Sequence, residues 1–595
     1  MKKFLLVVSF LSIAFAAWGQ DTVGEEAPDP GRPETTLGSD APAWAQVLLD
    51  AINKTNDRID YWHGEGQGEG DGRPSGSSLH ADFLRRVGDT EGTVVIIRYV
   101  GSEKEVNIPE KLDADPDFEG RGAPGGTVVG IDYAAFADME LTKVFLPTTL
   151  TWIGESAFAN NLLDRISIPA SVYKIGPSAF SGNRLTNVQV PVKVTVLEYA
   201  VFSDNFLEKV DLGQNVTTIG YGAFANNKLP NITIPSTVTE IGGKAFDNNY
   251  LGTGTGAAQG TITIPTKVTK IGDYAFSNNR LVTLRIPNNV TEIGEGAFYA
   301  NILQSVEIGN GVKSIGYRAF NGEKFPDADT YASRRDATNP VTDYKVNYWA
   351  GNNLNKLTFA PDSKLETIGE GAFGKNDLST VSLPESLVTI ENEAFAQNRL
   401  NATLTIPNKV VKIGDRAFDH NLLSLVIIGN NVETIGNSAF EENELTRLIL
   451  GTKVAEIGTR AFAGLPPSDD PDAEKKGNRL PSIVIPPNLK IVREAAFKDN
   501  VLANVTFPDS VQQIGNEAFA SNKIISVTFG SGLSDIGDSA FKTNELTKVS
   551  IGSKVKVLGS EAFAANKIVS VSVPNSIDKE VAQKAFDENT VIAVY

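Results

Sequence analysis

"IGESAFANNLL", Ile153 to Leu163, decides the fold because it keeps returning: "IGPSAFSGNRL" from Ile175, "IGYGAFANNKL" from Ile219, "IGDYAFSNNRL" from Ile271, "IGEGAFYANIL" from Ile293 and "IGNEAFASNKI" from Ile514. Nineteen phenylalanines stand in register, from Phe136 through Phe158, Phe180, Phe224, Phe395 and Phe519 to Phe586. Most steps are 22 residues, two are 23, and three are longer at 30, 53 and 35, which read as insertions into an unbroken array.

One unit, Asn183 to Phe202, is "NRLTNVQVPVKVTVLEYAVF". Leu185, Val188 and Val190 follow L-x-x-V-x-V, whose last part alternates as a half-buried strand does, and Pro191 then withholds the amide that would extend it. The second arc, V-x-x-I-G-x-x-A-F, places apolar residues three or four apart, as one or two helical turns would, with glycine available for a tight bend. One unit cannot enclose its own leucines, so neighbours must stack, strand on strand at ~4.8 Å in a parallel sheet. Nineteen coils then give a sheet roughly 90 Å long on that spacing. The phenylalanine fills the gap between sheet and arc, where burial stabilises by about 1.5–3 kcal/mol per ring.

An asparagine three residues after the phenylalanine occurs in sixteen of the nineteen units, among them Asn161, Asn183, Asn227, Asn398 and Asn522. An amide side chain both donates and accepts, so at a buried corner it can satisfy stranded backbone groups and repeat as a ladder. Met139 replaces it in the first unit, where capping is expected. Glu323 and Leu465 replace it directly before the two longest insertions, and the asparagine reappears beyond them as Asn352 and Asn478. The extra residues therefore enter at one corner of the coil.

This pattern resembles the BspA-like, treponemal-type leucine-rich repeat, L-x-x-L-x-L-P-x-x-L-x-x-I-G-x-x-A-F-x-x-N, over about residues 92–595. "EGTVVIIRYVGSEKEVNIPEKL" resembles that family's atypical first coil, and Val128 and Ile131 keep the apolar spacing, although Asp132 replaces the usual glycine. The resemblance implies surface or secreted proteins that bind other proteins, including host matrix components, and partner cells. It implies no catalytic residues. The expected fold class is α/β: a leucine-rich-repeat solenoid of about 19 coils, with a parallel sheet on one face and short helical or irregular arcs on the other.

The N-terminus, "MKKFLLVVSFLSIAFAAWGQ", has two lysines, an apolar run and small residues suited to cleavage before Gln20, which reads as an export signal at 1–19. No later stretch approaches ~20 apolar residues, so no membrane span is expected in the mature protein. The absence of cysteine leaves packing, rather than disulfides or thiolate metal sites, to hold the fold. A formal net charge of −18 disfavours nucleic acid and anionic lipid surfaces. Residues 20–80 read as a disordered or linker region around a short amphipathic helix at about 41–62, which either folds back on the protein or remains marginal, or else serves docking or self-association on a tether. Residues 81–136 read as an N-terminal capping region and first repeat, and 137–595 as the solenoid, with insertions at about 252–260, 321–351 and 463–477.

Outward strand positions are mostly Ser, Thr, Asn or Lys. Leu425, Ile427, Ile449 and Val484, flanked by Arg447, depart from this on three consecutive units and form a candidate protein-binding patch. The alternative is that the adjacent insertion covers them or that they are simply strand-favouring residues. Phe145 with Lys143 and Arg165 is a second candidate. Tyr344, Tyr348 and Trp349 in the longest insertion either serve recognition or pin the loop to the solenoid edge.

No Ser/His/Asp set, cysteine nucleophile or histidine metal cluster can be assembled from three histidines, of which His420 reads as a corner residue. "DADPDFEG" at Asp113, Asp115 and Asp117 lacks the glycine and glutamate of a calcium loop and reads as a solvated turn. Neither enzyme activity nor a cofactor is expected. The functional reading is an exported adhesin at the cell surface, or a secreted one, that binds host matrix proteins or partner cells. The alternative is a non-adhesive scaffold of the periplasm or envelope.

Overall fold

The computed structural model describes residues 82–114, 124–256, 259–323, 351–465 and 477–595. The chain divides into two units, Met1–Ser77 and Ser78–Tyr595, and every described coil belongs to the second. The expected export signal, the helix at about 41–62 and most of the two longest insertions lie outside the described residues. Leu185, Val188, Val190, Val194, Leu197, Val201 and Phe202 of a single coil are all buried. A 22-residue loop that points seven apolar side chains inward has no interior of its own, so coils stack into a parallel β-solenoid of about nineteen turns.

Two columns run through the stack. The nineteen rings follow one another in eighteen unbroken steps, with centroids 5.0–5.8 Å apart and planes within 18° of parallel. Such offset pairs contribute about 0.5–1.5 kcal/mol each beyond their burial. The column crosses the longest insertion without a fault, Phe320 to Phe373 at 5.3 Å and 1°. Beside it, each corner asparagine from Asn161 to Asn566 serves the coil before its own. Asn398 donates through Nδ2 to the Phe373 carbonyl (2.9 Å) and to its own coil's Phe395 carbonyl (3.1 Å), and its Oδ1 accepts from the Leu378 amide (3.1 Å). Asn352 and Asn478 make the same bonds, to Phe298 and Leu303 and to Phe440 and Leu445.

The arc before each ring but the last, Phe586, is not helical. Its N–H groups bond to the next coil, as from Ser156 to Pro177 and from Phe158 to Ala179, both at 2.8 Å, instead of four residues back. Within the coil, Ala157 N–H reaches the Gly154 carbonyl at 3.4 Å across a turn whose third residue, Ser156, has φ 53°. That is the position where a type II turn needs positive φ. Apolar residues three or four apart therefore report consecutive tight turns. Among the described residues the one α-helix is Lys579–Ala585, capped by Asp578, whose side chain accepts from the Glu580 amide.

The recurrent glycine also has a different role from the bend expected of it. It makes room for the neighbouring coil: a Cβ on Gly176 would lie 2.5 Å from the Glu155 nitrogen, while Gly176 N–H donates to the Ile153 carbonyl at 2.8 Å. This approach lets the two residues ending in the inward isoleucine form the longest sheet, fifteen parallel strands from Val196–Leu197 to Val557–Leu558. The L-x-x-V-x-V strands instead pair in short runs of two or three, such as Leu404–Thr405, Leu425–Ile427 and Arg447–Ile449. Glu391 and Arg493 stand at the glycine position yet keep its inter-coil bond at 3.0 and 2.9 Å. The two-residue ladder is broken before the coil of Glu198, between Lys174–Ile175 and Val196–Leu197.

At the N-terminal end, Phe83–Val87 pairs antiparallel with Thr93–Tyr99, which pairs parallel with Gly126–Ile131 of the first full coil. Tyr99 takes the ring position there, 5.5 Å from Phe136.

Candidate protein-binding surfaces

Strand alternation sends Val426 and Leu448 inward and leaves their neighbours outside. Leu425 pairs with Arg447 and Ile427 with Ile449 in the parallel ladder. Leu425 and Ile427 are half-buried, Arg447 is exposed, and Ile449 and Val484 are 47% and 84% exposed. Val484 occupies the same place after Asn478 that Ile449 occupies after Asn443, one coil on. Ile427, Ile449 and Val484 therefore form one solvent-facing aliphatic column.

On the next two coils, where Thr506 and Thr528 take the column position, two further aliphatic side chains are exposed nearer the corner. Val501, directly after Asn500, is 39% exposed, and Ile525, three residues after Asn522, is 55% exposed. Alternation counted only within the strand passes over both; counting from the corner asparagine would have found them. A second group, Tyr173, Val196, Tyr199 and Tyr221, is exposed on three consecutive coils along the two-residue ladder and its bend, and the rings of Tyr199 and Tyr221 stack at 5.5 Å. Its signal was a tyrosine three residues before the ring in successive units.

Phe145 is 58% exposed at the end of Lys143–Phe145, but Lys143 pairs with Glu105 at 2.9 Å and Arg165 with Asp164 at 3.3 Å. These three lie many coils from Ile449. Tyr344, Tyr348 and Trp349 lie outside the described residues. Phe158, Phe180, Phe224, Phe395 and Phe519, with Asn161, Asn183, Asn227, Asn398 and Asn522, are buried in the two columns and unavailable to a partner.

Chemistry-bearing groups remain sparse. His420 stands at the corner with Nδ1 2.9 Å from Asp419 Oδ1 and Nε2 2.7 Å from Glu442 Oε2. Burial raises the Asp419 carboxyl above the usual aspartate range, partly offset by that histidine. Among the described residues there is no group of three His, Asp or Glu side chains poised for a metal, and no helix is long and apolar enough to cross a membrane.

A stacked β-solenoid with asparagine and phenylalanine columns defines a solenoid repeat protein. The model of the BspA type leucine rich repeat region matches residues 129–252, 257–331, 343–466 and 475–592, and the chain belongs to that family. Among solved structures, it is 18% identical to a leucine-rich repeat protein from Bacteroides ovatus, covering 86% of this chain and 98% of that one, with a TM-score of 0.39. A leucine rich cell surface protein from Faecalibacterium prausnitzii is also 18% identical, over 88% and 95% of the two chains, with a TM-score of 0.29. The pneumococcal vaccine antigen PcpA is 16% identical over 86% and 97%, with a TM-score of 0.25. No curated protein sequence matches the chain.

Proposed function

We propose that this is an exported, non-catalytic protein that binds other proteins, acting as a cell-surface adhesin for host matrix proteins or partner cells. The observation that carries the reading is the solvent-facing column Ile427, Ile449 and Val484, on a scaffold whose other outward strand positions are mainly polar. Contiguous exposed apolar area on a stable scaffold marks a contact site. Membership of the BspA-type family supports a protein partner.

The test has two arms. Protease added to intact cells must cleave an adhesin, whereas a scaffold of the periplasm or envelope interior is protected. Purified protein carrying Ile427→Asp and Ile449→Asp is compared with the parent for binding to matrix proteins and partner cells. A hot spot there loses at least about 2 kcal/mol, roughly thirtyfold in Kd. Unchanged affinity in a folded double variant removes the column from the interface.

A further inference from the structure

The aliphatic face carries a charge opposite to that of the protein. Its five outward segments, 422–427, 444–449, 479–484, 501–506 and 523–528, hold three cations, Arg447, Arg479 and Lys523, against a single carboxylate, Glu444, in a chain of net charge −18. All three cations are exposed and none makes an ion pair among the described residues. Some comparable cations elsewhere are neutralised by the adjacent coil, as Lys143 is by Glu105, Arg285 by Glu307, Arg399 by Asp377 and Lys567 by Glu545, while Arg184, Lys209, Lys356 and Lys548 make no ion pair among the described residues; the candidate face differs in setting its cations beside exposed aliphatic side chains. The aliphatic column of Ile427, Ile449 and Val484, each six residues after its corner asparagine, spans three coils, and the next two coils add Val501 and Ile525 one and three residues after theirs, so that the face covers five consecutive coils, about 19 Å at one strand spacing per coil.

We infer that this face docks one acidic, amphipathic segment of another protein, laid along the stacking direction, with its aliphatic or aromatic side chains on the column of Ile427, Ile449 and Val484 and its carboxylates on Arg447, Arg479 and Lys523. The inference rests on the reading that the Ile449 column is a docking surface and names the chemistry that surface selects. A span of about 19 Å corresponds to roughly thirteen helical residues or six extended ones. Unpaired cations beside desolvated apolar contacts favour a carboxylate partner and repel a basic one, and their contribution falls with salt.

The test uses the full chain and a library of displayed random 16-residue peptides. Selected peptides should be rich in Asp and Glu interspersed with Leu, Ile or Phe. Their binding should weaken about tenfold or more on Arg447→Glu with Arg479→Glu, and also with added salt. Ile449→Asp with Val484→Asp should abolish it. The charge-reversed chain should select basic apolar peptides instead. All substitutions lie on the solvent side, and an unchanged thermal melt verifies the fold. Neutral or basic peptides from the parent, or equal binding to the reversed chain, overturn the proposal. So does appearance of the preference only after deletion of 466–476, because the acidic insertion itself would then be the occupant. If Ile449→Asp with Val484→Asp abolishes binding of a matrix protein while charge reversal does not, the docking surface stands and the acidic preference falls. If neither has an effect, the surface itself falls.

Discussion

Left-handed backbone recurs twice per coil, two residues before the ring and two after it, and non-glycine residues occupy most of these sites, including Ser156, Ser178, Ser438 and Glu517 before it and Asn160, Asn226 and Asn248 after it. A side chain at such φ costs about 1–2 kcal/mol, least for asparagine, whose short amide tolerates the region. Ser438→Gly should therefore stabilise its coil by up to about 1 kcal/mol, since relief of strain exceeds the added freedom of the unfolded chain. Slower hydrogen exchange at the Phe418 and Phe440 amides checks this; faster exchange contradicts it. A second residue works against the fold at neutral pH. Asp247 Oδ1 accepts from Ser277 Oγ at 2.5 Å and Asn278 Nδ2 at 2.9 Å, yet burial outweighs these bonds and raises its carboxyl above the usual range. A raised folded-state value means the fold holds the proton more tightly than the unfolded chain does. Its contribution is then full below about pH 3.9 and is lost as pH rises through the folded value. Asp247→Asn keeps the acceptor and removes the charge, so it should raise the melting temperature at pH 7, with the gain vanishing below about pH 3.9.

Each coil is an element only in company. Phe395 lies 5.4 Å from both Phe373 and Phe418, and Phe395→Ala should cost about 3–5 kcal/mol, because neighbouring rings cannot collapse into the space without breaking their own stacks. Asn398→Ala leaves the Leu378 amide buried without a partner, at about 1–3 kcal/mol, and takes one of two donors from the Phe373 carbonyl, which keeps Asn376 Nδ2 at 3.1 Å. Hydrogen exchange should speed first in the coils of Phe373 and Phe395 in both variants; uniform change along the chain would contradict a nearest-neighbour stack. Both columns were legible in the sequence because each demands one residue type at one spacing, and Asn352 and Asn478 could be matched across insertions for the same reason. The spacing leaves open whether an arc is helical or irregular, because a run of tight turns and a short helix share the three-or-four period and hydrogen bonds to the next coil leave no local mark; all arcs but the last take the irregular form. The fifteen-strand ladder was missed because a two-residue strand is too short to show alternation. On the candidate face, alternation located Ile427, Ile449 and Val484, whereas Val501 and Ile525 lie before the alternating stretch and answer only to the corner asparagine.

At the scale of the whole stack, stability is a sum of coils and the junctions between them, so removal of one complete coil should be tolerated where removal of half a coil is not. Deletion of 203–224 joins Phe202 to Ala225 and restores both columns, with Asn227 taking the corner three residues after Phe202. Deletion of 203–213 places no asparagine at that corner and reverses the inward and outward faces downstream, so that variant should be proteolysed rapidly. Deletion of 441–462 also keeps the register, because Phe440 then precedes Ala463, but it takes Arg447 and Ile449 with it. The two full-coil deletions should melt within a few degrees of each other, since each removes one ring, one asparagine corner and one junction. Their binding should differ sharply: the 203–224 deletion retains parental affinity for the selected peptide, while the 441–462 deletion loses at least about tenfold through its missing anchor residues. Equal affinity in the two would locate recognition outside the Ile427–Ile525 face, and failure of both to fold would show that coils are not interchangeable units of this stack.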